Sequence, residues 1–124
     1  MEQLTAFKSY SRRDFIERSQ VILKKVKIML SRETLVKFSW IMEAWLLARP
    51  VTTIQSQMIF LLIYKLYEKL RRKRLMLKPK ITLSLDVIEA WGLWTMLESM
   101  DLKNFPYEDN IKRTIISEID RQTK

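Results

Sequence analysis

Lys80-Ile81-Thr82-Leu83-Ser84-Leu85 is the stretch on which the fold turns. Ile81, Leu83 and Leu85 alternate with Lys80, Thr82 and Ser84. A period of two marks a strand with one face turned inward. Pro79 bars a helix from running into the segment. The segment reads as a short strand or as an extended arm. No second convincing strand is visible, so a strand here requires Leu75–Leu77 or another protomer as its partner.

Working outward, everything else has helical period. Asp86 and Glu89 form a D-x-x-E capping box that opens a helix carrying Val87, Trp91, Trp94 and Leu97 on one face. Asp101–Pro106 is a connection, and a last helix places Tyr107, Ile111, Ile115 and Ile119 every fourth residue. Arg121–Lys124 is expected to be a loose tail.

On the N-terminal side, Thr52 with Gln55 reads as a capping box for the longest apolar helix. Its stripe is Ile59, Leu62, Ile63, Leu66 and Leu70, widened by Met58 and Leu61. Before it, Ser31 caps a helix with Leu35, Phe38, Ile41, Met42, Trp45 and Leu46 on its apolar face. Pro50 stops that helix near Ala48. A first long helix is expected from Ser11 and Asp14 onward, with Phe15, Ile22, Val26 and Met29 as its stripe. Leu4, Phe7 and Tyr10 suggest a short helix ahead of it. No internal repeat is visible. The fold class that follows is all-α: one compact domain of four to five helices, with a short extended segment near residues 80–85.

Composition supports helices over hairpins. The 124 residues contain one Gly and three Pro, whereas tight hairpins draw on glycine for positive φ. Hydrophobic residues make up 48% of the chain, enough for a core. With no Cys and no His, the sequence excludes disulfides, thiolate nucleophiles, Cys/His zinc sites and imidazole catalysis. Gly92 alone cannot build a phosphate-cradling loop. The Asp86/Glu89 and Glu108/Asp109 pairs are accounted for by capping and the helix dipole, and Glu98/Asp101 reads as a solvated pair. A non-enzymatic protein without a cofactor is the expectation. No basic start followed by an apolar run opens the chain, and no stretch is long and apolar enough to span a bilayer. The chain therefore reads as cytoplasmic, with peripheral membrane contact disfavoured.

Charge is the most informative functional signal. Net charge is +9, and it is uneven. Residues 1–80 hold 18 Lys and Arg against 6 Asp and Glu, while residues 81–124 hold 5 against 8. Lys69, Arg71, Arg72, Lys73, Arg74, Lys78 and Lys80 cluster with no acid among them. Arg12, Arg13, Lys24 and Lys25, with Lys8 and Lys27, extend the patch if the first helix lies alongside. Such a cluster neutralises phosphates and releases counterions. Its bland counterpart is a solvated helix end that suits the dipole. The leading expectation is a nucleic-acid-binding or ribonucleoprotein accessory protein that contacts phosphates of DNA or RNA. The alternative is an assembly subunit, forming a homo-oligomer or joining a protein partner through Trp- and Met-rich, charge-complementary surfaces.

Overall fold

The structure is a computed structural model and describes Arg12, Arg13, Glu17 and residues 24–123. In chain order its elements are β1 (Val26–Ser31), α1 (Arg32–Ala48), α2 (Ile54–Lys73), β2 (Lys80–Leu85), α3 (Val87–Glu98) and α4 (Pro106–Thr123). Among the described residues, four complete helices plus a two-stranded antiparallel sheet make this a mixed α/β fold, not the all-α bundle that helical period suggested.

The correction lies in β1. Val26 and Met29 read as the last turn of a first helix. In the structure Val26–Ser31 is a strand, with Val26, Ile28 and Leu30 buried and Lys27, Met29 and Ser31 exposed. An apolar Met at an outward position hid the alternation. The rest of that expected helix, and the segment before it, lie outside the described residues apart from Arg12, Arg13 and Glu17, which are helical, and Lys24 and Lys25, which belong to neither a helix nor a strand. The partner of Ile81–Leu85 is therefore β1, not Leu75–Leu77 and not another protomer. The register runs from Val26 opposite Leu85 to Ser31 opposite Lys80. Leu75 and Leu77 are exposed.

Each strand passes straight into a helix at a capping residue. Ser31 keeps extended angles (φ −68°, ψ 156°), and its hydroxyl accepts from the Thr34 N–H at 3.1 Å. Asp86 does the same for α3, accepting from Glu89 N–H at 2.7 Å, while the Glu89 carboxylate accepts from Asp86 N–H at 3.0 Å. These side chains satisfy the orphan donors of a helix start. At α2 the cap sits one residue later than Thr52/Gln55. Thr53 accepts from Ser56 N–H, and the Ser56 hydroxyl accepts from Thr53 N–H. α1 ends before Pro50, with Arg49 in the extended region that a following proline imposes. α4 begins on Pro106, where a missing N–H costs nothing. Where a loose tail was expected at Arg121–Lys124, α4 continues through Thr123.

The core lies between the inner face of the sheet and the four helices. Phe38, Met42, Ile63, Leu66, Leu83, Leu85, Leu93 and Leu97 are fully enclosed. The inward face of α3 is Ala90, Leu93, Met96 and Leu97, so Val87 and Trp91, expected on that face, point outward. Tyr107, Met58 and Leu61 are likewise exposed.

The order strand–helix–helix occurs twice. Through the strand and the first helix of each unit, burial repeats at a constant offset of 55 residues, from 26 to 81. Val26, Ile28 and Leu30 correspond to Ile81, Leu83 and Leu85, the cap Ser31 to Asp86, and Leu35, Phe38, Ile41 and Met42 to Ala90, Leu93, Met96 and Leu97. Ile28 stands opposite Leu83, its own counterpart, so the paired strands have a local two-fold axis through that rung. The helices obey it too: α1 packs on α2 and α4, and α3 packs on α4 and α2. The repeat is one of burial and element order. The residues that fill it differ, which is why no repeat is visible in the sequence.

Candidate nucleic-acid interface

Alternation leaves one face of the sheet outside the core. It presents Lys27, Met29 and Ser31 from β1 and Lys80, Thr82 and Ser84 from β2. On this face Lys27 lies opposite Ser84, Met29 opposite Thr82, and Ser31 opposite Lys80. None of the six is acidic. Met29 is 66% exposed, well beyond what packing would require of it. Ser31 is engaged in capping α1, so Lys27, Met29, Thr82, Ser84 and Lys80 are the side chains this surface offers to a partner.

The ribbon is gripped at its edges by side chains. On the β1 edge, Gln122 of α4 accepts from Lys27 N–H at 2.8 Å and donates to Lys27 C=O at 2.7 Å, replacing a neighbouring strand. The same amide nitrogen donates to Glu118 at 3.1 Å. Glu118 also accepts from Arg121 at 2.7 Å, and these two hydrogen bonds hold its carboxyl below the ordinary glutamate pKa. On the β2 edge, Lys69 Nζ donates to the Ser84 carbonyl at 2.6 Å and lies 3.9 Å from the Glu89 carboxylate. Lys27 and Ser84 are opposite one another, so one rung is held from both sides. At the far end, Arg32 N–H donates to the Pro79 carbonyl at 3.2 Å.

The basic cluster is not one surface. Lys69 is committed to β2 and α3. Arg74 lies on the α1 side of α2, donating to the buried Ser39 hydroxyl at 3.3 Å, and Arg32 donates to the Arg74 carbonyl at 3.5 Å. Arg71 pairs with Glu68 at 3.7 Å. Arg13 pairs with Glu17 at 3.2 Å, and Arg12 beside it is exposed. Arg72, Lys73, Lys78, Lys80, Lys24 and Lys25 form no ion pair among the described residues, and all but the half-buried Lys73 are exposed. Lys78 precedes β2 and Lys80 opens it, and Lys24 and Lys25 lead into β1. The ribbon thus joins the two basic groups that the sequence places far apart.

Tyr67, beside the cluster, donates to Glu43 at 3.2 Å. Burial first, and the Glu43 charge and hydrogen bond next, push its hydroxyl above the ordinary tyrosine pKa. It is a link between α1 and α2, not a stacking surface. Sequence reasoning missed an aromatic patch on α1, where the Lys37 ammonium sits 4.7 Å from the Trp40 ring centre and 6.0 Å from that of Tyr107. It also missed Met29, Thr82 and Ser84 as outward residues. The period-two signal at β2 was sufficient to find the last two.

A cleft of about 340 Å³ between the ends of α1 and α3 and the start of α2 is lined by Trp45, Arg49, Pro50, Thr52, Ser56, Ile59, Thr95 and Ser99. Arg49 is its single charged side chain, and the Trp45 indole donates to Ser99. Among the described residues no group of three or more Asp or Glu could hold a metal ion, and no helix is long and apolar enough to cross a membrane. Comparison with protein-family models, curated proteins and solved structures gives no match to this chain.

Proposed function

We propose that the protein binds duplex DNA, with the β1–β2 ribbon lying in the major groove and the basic residues at its ends on the flanking phosphates. One observation carries this reading. Among the described residues the sheet has two strands, one face in the core, and an outer face that bears lysine, hydroxyl and methionine side chains and no acid. A major groove about 12 Å wide admits a two-stranded ribbon. Six residues per strand, at about 3.3 Å each, give a ribbon roughly 20 Å long. Lysine donates to guanine, hydroxyls serve either base type, and an apolar tip meets the thymine methyl. Lys24, Lys25, Arg72 and Lys78 supply the salt-dependent attraction. The deep, narrow major groove of duplex RNA does not admit such a ribbon, so duplex RNA is the weaker ligand.

The experiment is a mobility shift of the full chain against one sequence as DNA duplex and as RNA duplex, at several salt concentrations. DNA is expected to bind more tightly, with affinity falling steeply as salt rises. Equal retention of both duplexes would remove the groove reading and leave only phosphate contact.

A second reading, assembly with a protein partner, has its own support. Ile54, Met58 and Leu61 recur along the exposed side of α2, and Ile88 and Trp91 are exposed on α3, which packs against it. Five large apolar side chains on neighbouring helices exceed the scattered exposure usual for a surface. Light scattering across concentrations tests it: a mass that rises with concentration supports assembly, and a constant monomer mass counts against it.

A further inference from the structure

Resting on the duplex-DNA reading, we infer that the ribbon recognises a non-palindromic DNA site, with Lys27 and Ser84 reading one half and Met29 and Thr82 reading the other. A two-fold protein surface on two-fold DNA demands a palindrome. Here the backbone has the two-fold and the side chains break it. The offset that superposes the buried residues makes Thr82 the counterpart of Lys27, and Ser84 the counterpart of Met29.

On the outer face of the ribbon the break falls at the positions that would face bases. Lys25 corresponds to Lys80, so each strand is led in by a lysine suited to phosphate. On one side of the axis the Lys27 ammonium presents a donor beside the Ser84 hydroxyl, which donates and accepts. On the other the Thr82 hydroxyl stands beside the apolar tip of Met29. Guanine offers two acceptors, N7 and O6, in the major groove, and thymine offers a methyl. The Lys27 half therefore selects guanine, and a thymine under Met29 falls in the other half. The Thr82 half has no comparable demand for guanine.

The test is selection of binding duplexes from a randomised DNA library by the full chain, followed by affinity measurements on the selected sequence. The expected consensus is asymmetric, with a guanine in one half only. Lys27→Ala should relax preference at that guanine alone, lowering affinity for the selected duplex roughly five- to 100-fold while leaving guanine-substituted duplexes nearly unchanged. The double variant Thr82→Lys/Ser84→Met makes the two halves chemically alike and should select a palindrome. Both positions lie on the outer face, and an unchanged thermal melt would confirm that the variant is folded. A palindromic consensus for the unmodified chain, or an asymmetric one unmoved by the double variant, overturns the inference. Salt-dependent binding with no consensus overturns it while leaving the DNA reading intact. No enrichment and no duplex binding at low salt sinks both.

Discussion

Gln122 shows how one side chain can decide the behaviour of a strand. An edge strand presents unpaired N–H and C=O groups, and native proteins cover or blunt them. Gln122 covers one such pair at Lys27. Gln122→Ala should cost about 1 kcal/mol for each neutral hydrogen bond lost and raise hydrogen exchange at the Lys27 amide. Unchanged protection there would show that the amide is held by something else. Glu118, the neighbour that orients Gln122, has a folded-state pKa below its unfolded value. Its contribution is present above the unfolded pKa and is lost as pH falls through the folded one. The group is exposed, so the effect on global stability is small. An NMR titration should place its midpoint below an ordinary glutamate and return it upward in Arg121→Ala. A midpoint unmoved by that substitution would separate the shift from the pair. Gly92 shows the same economy inside a helix. A Cβ there would overlap the Leu62 side chain of α2. Alanine favours an isolated helix by about 1 kcal/mol, but overpacking costs about 1–3 kcal/mol. Gly92→Ala should therefore lower the melting temperature by a few degrees, and a rise would show that Leu62 yields freely.

At the scale of elements, β1 carries the lesson. Helical reading puts Val26 and Met29 on one face, while strand reading puts Val26 and Ile28 there. The two readings differ most at Ile28 and Met29, and stability measures the difference. Ile28→Ala should cost about 2–5 kcal/mol as a buried large-to-small change, and Met29→Ala should stay within about 0.5 kcal/mol. The reverse ranking in urea melts would restore a helix. The capping residues Ser31 and Asp86, the stop at Pro50, and the inward spacing of Ile111, Ile115 and Ile119 were legible because each is a local effect. The strand β1 was not, because a six-residue strand is defined by its partner, and that partner lies about fifty residues on. The basic cluster was legible as charge but not as shape. It lies around the end of α2, so Arg74 turns to α1 and Lys69 to β2 while Arg72 faces solvent. Residues adjacent in sequence on a helix are about 100° apart, which splits any continuous run of charge. The outer ribbon face was half legible, since Thr82 and Ser84 follow from period two once the strand is granted a partner.

For the whole molecule, two strand–helix–helix units wrap around a shared core, each helix pair packing on the other unit as well as its own. Neither unit can bury its strand alone, because the inner face of β1 is completed by β2 and by α4. Folding should therefore be a single cooperative step, and calorimetry should give equal calorimetric and van't Hoff enthalpies. Two resolved transitions would mean that the units are independent. The arrangement leaves one sheet face outside, flanked by lysines, and that face is the centre of the proposed function. Thr82→Glu tests it most directly. The residue is exposed, so the core is untouched, yet a carboxylate would meet the polyanion at the middle of the ribbon. Fluorescence anisotropy of a labelled DNA duplex, titrated with the unmodified chain and with Thr82→Glu at the same salt and with matched thermal melts, should show at least a roughly tenfold loss of affinity in the variant. Equal affinities for the two proteins would contradict the placement of the ribbon against DNA.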